Sequence, residues 1–239
     1  MLKYLTTAVL ISMSMTAMAA DDPMLSAAPK VARHVIAGKT ARDASNSELA
    51  LEEFIKAYDL LINALEGDTT VDIEGSVGAG IFVDHVESRN YLNPALNFGR
   101  CTEEMIYDSR SPLSTRIANM AGLIAREGEK IGNHLLAAEY YGSAGDYHNG
   151  GAPAQIHYFS SAKAYASVPD PQKALEQTGK AEEVARRFWA SRGEYICLLS
   201  SIAEFCLQQS EHLSDSAPEI ASQFASKGKG LQTFMKKTD

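Results

Sequence analysis

The sequence predicts an all-α fold, an α-solenoid of about five helical hairpins. Three observations carry that expectation. Gln155–Arg187 reads as two amphipathic helices joined by a tight proline-containing turn. The spacing of its small and aromatic residues recurs at intervals along the chain. A lone hairpin of this kind cannot bury its apolar face, so it requires neighbours on both sides.

In order along the chain, residues 1–19 read as a secretory signal peptide. Lys3 is the only charge before Asp21, Leu5 to Met15 is mostly apolar, and Ala17-Met18-Ala19 fits a small-x-small cleavage site. The apolar run is shorter than the roughly 20 residues a bilayer span needs. No cysteine near the cleavage site suggests a lipid anchor. The short signal resembles bacterial export signals, which predicts a periplasmic or secreted protein. Residues 20–30 are expected to be a flexible lead-in, and 31–239 a helical repeat domain.

The first helix is expected from about Pro29 to Ala44. Ser45 with Glu48 has the form of a capping box for the second, which carries Leu49, Phe54, Ala57, Leu60, Leu61 and Leu65 and stops at Gly67. Residues 68–112 admit two readings. Val71, Ile73, Val77, Ala79, Ile81 and Val83 alternate as in a strand. Ile81-Phe82, His85-Val86 and Ala95 also fit a degenerate helix pair, and the regular alanine spacing favours the pair, although Gly75, Gly78 and Gly80 weaken its first helix. Helices are then expected over Ser114–Glu127 and Ile131–Ala144, followed by a loop over Gly145–Gly151.

In the central hairpin, Tyr158, Ala162, Tyr165 and Ala166 share one face. Val168-Pro169-Asp170-Pro171 ends that helix, because a proline disfavours helical dihedrals in the residue before it. Asp170 is placed to cap the next helix, with Pro171 at its first position. Ala174, Thr178 and Ala181 form the facing stripe. Two more helices follow, Ser191–His212 and Pro218–Lys236. In the last, Ala221, Phe224, Ala225 and Leu231 face inward.

These residues resemble the tetratricopeptide repeat family. Its pattern wants a small residue and then an aromatic in the first helix, and Ala-x3-aromatic-x2-Ala in the second. Ala162, Tyr165, Ala174, Thr178 and Ala181 match, with Thr178 in place of the aromatic. Ala125, Gly128, Ala137, Tyr141 and Ala144 match, with Gly128 in place of the aromatic. Gly38, Ala41, Ala50, Phe54 and Ala57 make a third set, and a poorer one centres on Ala95, preceded by Val83 and Val86. The key alanines fall at 50, 95, 137 and 174, further apart than the family's usual period of about 34, so longer loops are implied. The resemblance implies that Ala137 and Ala174 are buried where the two helices of a hairpin meet. It also implies a concave surface lined by the first helix of each hairpin. Lys39, Asp84, Arg126 and Lys163 align at one position that looks into that surface, two turns into each first helix.

The net charge of −8, or −9 once Lys3 is removed, argues against general nucleic-acid binding. Three cysteines are an odd number for an exported chain. Cys197 and Cys206 fall on opposite sides of one helix, so either could pair with Cys101, or all three stay as buried thiols. None of the six histidines has metal-site spacing, and no Cys-x-x-Cys occurs, so no metal is expected. Gly75–Gly80 lacks the preceding strand and the Lys-Ser/Thr ending of a phosphate loop, so no cofactor is expected either. Glu87-Ser88 followed by Asn93-Pro94 resembles, faintly, the Glu-Ser motif of lytic transglycosylases, whose glutamate is a general acid. The Gly-Leu-Met-Gln motif of that family is absent, and Phe98-Gly99-Arg100-Cys101 stands instead. The reading is therefore a non-enzymatic scaffold or adaptor in the bacterial cell envelope. It would bind a protein or peptide, an acidic one if the basic positions form a stripe. A peptidoglycan-cleaving hydrolase using Glu87 is the alternative, and self-association through the ends of the stack a third reading.

Overall fold

The computed structural model describes residues 23–67, 113–148, 152–189 and 196–238, and every regular element among them is an α-helix. The elements are α1 (Pro23–Asp43), α2 (Ser47–Gly67), α3 (Leu113–Lys130), α4 (His134–Tyr147), α5 (Ala152–Ala166), α6 (Pro171–Trp189), α7 (Ile196–His212) and α8 (Pro218–Thr238). The chain divides into two compact units, Met1–Met120 and Ala121–Asp239. The signal peptide, the 68–112 region with Asp84 and Glu87, and Cys101 lie outside the described residues.

In the first unit α1 packs along α2. Val31, Val35 and Ala41 meet Ala50, Leu51, Phe54, Ala57 and Leu61 in a buried seam. Gly38 is where the Phe54 ring passes: a Cβ at Gly38 would lie 2.4 Å from its Cε1. His34 Nδ1 ties to Glu53 Oε2 at 2.7 Å across the hairpin. That bond and the neighbouring Lys56 hold the Glu53 carboxyl below its usual range.

Helix α1 starts at Pro23, six residues before the expected Pro29, so helix already occupies most of the 20–30 stretch. The cap of α2 is Asn46 and not Ser45. Asn46 Oδ1 accepts from the Leu49 N–H at 3.1 Å. Ser45 takes a left-handed φ of 59°. Its N–H bonds Arg42 O and that of Asn46 bonds Ala41 O, so Ser45 closes α1 in the position usually given to glycine.

The same construction returns at the start of the second unit. Gly132 has φ 75°, its N–H bonds Glu129 O, and that of Asn133 bonds Gly128 O. Asn133 then caps α4, accepting from Leu136 N–H at 3.2 Å. Helix α4 therefore starts at His134, because Ile131 and Gly132 are spent on closing α3. It also runs through Gly145 to Tyr147, so the expected loop begins later than Gly145. Asp170 caps α6 as expected, accepting from Lys173 N–H at 3.1 Å, with Pro171 the first helical residue.

Within the second unit α4 packs on α5, α5 on α6 and α7 on α8, and α6 meets both α7 and α8. Its core runs from Ala137, Tyr141 and Tyr158 through Ala162, Ala174 and Ala181 to Phe205, Phe224 and Leu231. Ala137 and Ala174 are both fully buried. Ala221, Phe224 and Leu231 face inward as expected, with Ala225 half-buried. Small residues set the close approach. A Cβ at Gly145 would lie 2.4 Å from the Tyr158 ring, and Ser161 reaches across to donate to Ala138 O at 2.7 Å. Among the described residues no helix is long and apolar enough to cross a membrane.

Candidate functional site

A connected group of polar side chains, with His157 and Tyr141 buried and His148 half-buried, lies where α3, α4 and α5 come together in the second unit. His148 caps the C-terminus of α4; its N–H bonds Ala144 O and Asp146 O. His157 stands on α5 and is buried. Their rings stack 5.2 Å apart and 12° from parallel. The Tyr141 ring lies 6.2 Å from that of His157, and its hydroxyl donates to Glu129 Oε2 at 2.9 Å. Gly122 on α3 leaves the room the imidazole occupies: a Cβ there would sit 3.0 Å from His157 Cε1.

This surrounding keeps the aromatic groups neutral. Burial pushes His148 down to about 4. Burial, helped by the charges of His148 and Arg126, pushes His157 down to about 3. Tyr141 is raised above the ordinary phenol range by burial and by Glu129. Imidazoles with such values are weak bases near neutral pH, and Tyr141 stays a hydrogen-bond donor. Cys206 is a free buried thiol, pushed up to about 12 by burial, so little thiolate forms there. No group of three or more His, Cys, Asp or Glu among the described residues is arranged to hold a metal ion.

A second polar link fastens the same end of α4 to α5 and α6. Tyr158 donates to Asp146 Oδ1 at 2.8 Å. Lys180 donates to the same oxygen at 3.2 Å and lies 5.3 Å over the Tyr158 ring.

The expected groove positions are placed as follows. Lys39 is half-buried on α1, in the first unit. Arg126 is half-buried on α3, where its charge acts on His157 and Tyr141. Lys163 is exposed on α5, its ammonium 5.1 Å over the Phe159 ring. None sits two turns into its helix, because α1, α3 and α5 begin earlier than that alignment requires. Lys163 lies in the last turn of α5, where a cation also suits the negative end of the helix dipole. Within the second unit, Arg126 looks to the imidazole pair and Lys163 to Phe159.

The histidine pair was not flagged by spacing. His148 ends α4 and His157 stands in the first half of α5, so no single helical period links the two rings. A comparison with known families, curated proteins and solved structures finds no match.

Proposed function

We propose that this chain is an exported helical-repeat module of the tetratricopeptide type that binds a protein or peptide in the bacterial cell envelope. One observation carries the repeat reading: α2, α4 and α6 share one cap register. Asn46, Asn133 and Asp170 each accept a side-chain bond three residues on. Each also offers its carbonyl to the N–H of a fully buried alanine four residues on: Ala50 at 3.0 Å, Ala137 at 3.0 Å and Ala174 at 3.2 Å. The other positions of the pattern, from Gly38, Ala41, Phe54 and Ala57 to Ala162, Tyr165, Thr178 and Ala181, are buried as well. Repeats of this construction expose an extended surface, and that surface is their usual means of binding.

The signal-like N-terminus supplies the address, and the basic groups Arg126 and Lys163 supply an attraction for carboxylates. The test is capture from an envelope fraction with the purified mature chain. Wild type should retain a discrete partner. Arg126→Glu with Lys163→Glu should lose it by at least tenfold, with circular dichroism and melting temperature unchanged. Equal capture by both proteins overturns the groove. N-terminal sequencing of exported protein should begin near Ala20, and an intact Met1 would overturn the export reading.

A further inference from the structure

The last two helices are divided by charge. From Ile196 to Ser226, which covers α7, the turn and the first part of α8, the chain carries Glu204, Glu211, Asp215 and Glu219 and no Lys or Arg. From Lys227 to Thr238 it carries Lys227, Lys229, Lys236 and Lys237 and no carboxylate. Lys227 is engaged by Glu182 of α6. Glu219, Lys229, Lys236 and Lys237 are all exposed, and no side-chain hydrogen bond or ion pair among the described residues engages them.

Helix α8 buries Ala221, Phe224, Gly228 and Leu231. On a helix of about 3.6 residues per turn, the row on the opposite side is Glu219, Ser222, Ser226, Gly230, Thr233 and Lys237, and all six are exposed. The steps of three and four residues keep that row on one face. It is acidic at its first position, basic at its last, and small and polar between. A Cβ at Gly230 would meet nothing within 4 Å, so the middle of the row is open. A row in this order is complementary to its own reverse. Two copies laid antiparallel set Glu219 against the partner's Lys237, Ser222 against the partner's Thr233 and Ser226 against the partner's Gly230. A two-fold axis then repeats each pairing. We propose that the outer face of α8 is a homodimer interface, in which two copies pair antiparallel and the Glu219 end of each meets the Lys236–Lys237 end of the other.

The charges select the direction. A parallel pair would set glutamate against glutamate and lysine against lysine, and would align the two helix dipoles; the antiparallel pair opposes both. Asp215, exposed in the turn ahead of α8, adds a carboxylate at the acidic end. The side chains at a helix contact set the distance between the axes, and Ser226 and Gly230 near the two-fold axis permit a close approach. Glu219 and Lys237 are about 27 Å apart along the helix at 1.5 Å per residue, so the two sets of ion pairs act separately. One pair of helices is a small interface, below the roughly 1,200 Å² of stable complexes. The dimer is therefore weak and reversible, and its exposed ion pairs make it sensitive to salt. It uses none of the groove positions of the binding reading and does not rest on that reading.

The test is sedimentation equilibrium of the full mature chain over a concentration series. Wild type should show a monomer–dimer equilibrium whose dissociation constant rises about tenfold between about 50 mM and about 500 mM NaCl. Glu219→Lys in one chain, and Lys236→Glu with Lys237→Glu in another, should each weaken dimerisation by about tenfold with the helical circular-dichroism spectrum unchanged. Mixed in equal amounts, these two chains should dimerise again, because the mixed pair has opposite charges at both ends. Gly230→Gln should weaken the dimer while the monomer melts at the same temperature or higher, since the new side chain has room and glutamine is the better helix former. A wild type that stays monomeric at about 0.5 mM overturns the proposal. So does a dimer indifferent to both charge reversals, and a mixture no more dimeric than its components overturns the antiparallel pairing. Should a charge variant not fold, Gly230→Gln decides: unchanged dimerisation places the interface elsewhere and overturns the proposal.

Discussion

Gly145 is the residue at which the fit of α4 to α5 is least forgiving. A methyl group there would lie 2.4 to 2.8 Å from three atoms of the Tyr158 ring. The ring cannot simply swing aside, because its hydroxyl is tied to Asp146 at 2.8 Å and its face lies under Lys180. Gly145→Ala should therefore cost roughly 1–3 kcal/mol, the range for overpacking a filled core, despite the better helix propensity of alanine. Tyr158→Phe in the same background should recover part of that loss by untying the ring. A urea series on the single and double variants checks both signs. Glycine at 145 reads in the sequence as a loop signal, and so the expected loop was placed too early. What the residue actually supplies is clearance for an aromatic on the next helix. The stacked histidines were hidden for a related reason: they stand on two successive helices, and no single helical or strand period links the partners.

At the scale of helices and turns, capping explains most of what the sequence did and did not reveal. Asp170 was legible because the prolines on either side leave it one role. Ser45 and Asn46 are both good capping residues by type, and only the backbone separates them: Ser45 takes φ 59° to close α1, which leaves Asn46 to open α2. Two opposed expectations follow. Ser45→Gly removes a left-handed penalty of about 1–2 kcal/mol and adds about 0.4–1 kcal/mol of unfolded-state entropy. The net should be a stabilisation of about 0.5–1 kcal/mol. Asn133→Ala deprives Leu136 N–H of its acceptor and should cost about 1 kcal/mol. Thermal melts of the two variants at one pH test the pair of signs. The helix starts were the less legible part of the architecture. A turn that closes one helix and caps the next within two residues moves the start of α2 and of α4 by a few positions.

For the molecule as a whole, the helices of the described residues were legible from periodicity and from the recurrence of alanines, whereas the joints between them were not. One such joint in the second unit is ionic. Glu182 on α6 accepts from Lys227 on α8 at 2.6 Å through Oε2, and from Arg186 at 2.9 Å through Oε1. Arg186 in turn lies 4.2 Å over the Phe234 ring of α8. Glu182 and Arg186 have the i,i+4 spacing of a helical ion pair, but nothing in the sequence announces Lys227 or Phe234 as their partners, since α6 and α8 are separated by the whole of α7. Glu182 is only 15% exposed and Lys227 25%, so solvent screens this pair less than a surface one. Glu182→Ala leaves Lys227 partly buried and without its carboxylate, and it also frees Arg186 from the geometry that holds it on Phe234. The expected cost is about 1–3 kcal/mol, the range for losing charge-assisted bonds of this kind. The loss should be local before it is global, because α7 and α8 are packed mainly on one another and meet α6 along a narrower seam. Hydrogen exchange on the Glu182→Ala chain should thus show faster opening at α8 and the facing part of α6, with α4 and α5 unchanged. A Glu182→Ala, Lys227→Met double-mutant cycle should give a coupling energy above about 0.5 kcal/mol. A coupling near zero, or equal loss of protection in α4 and α5, would show that hydrophobic packing alone fastens the last hairpin.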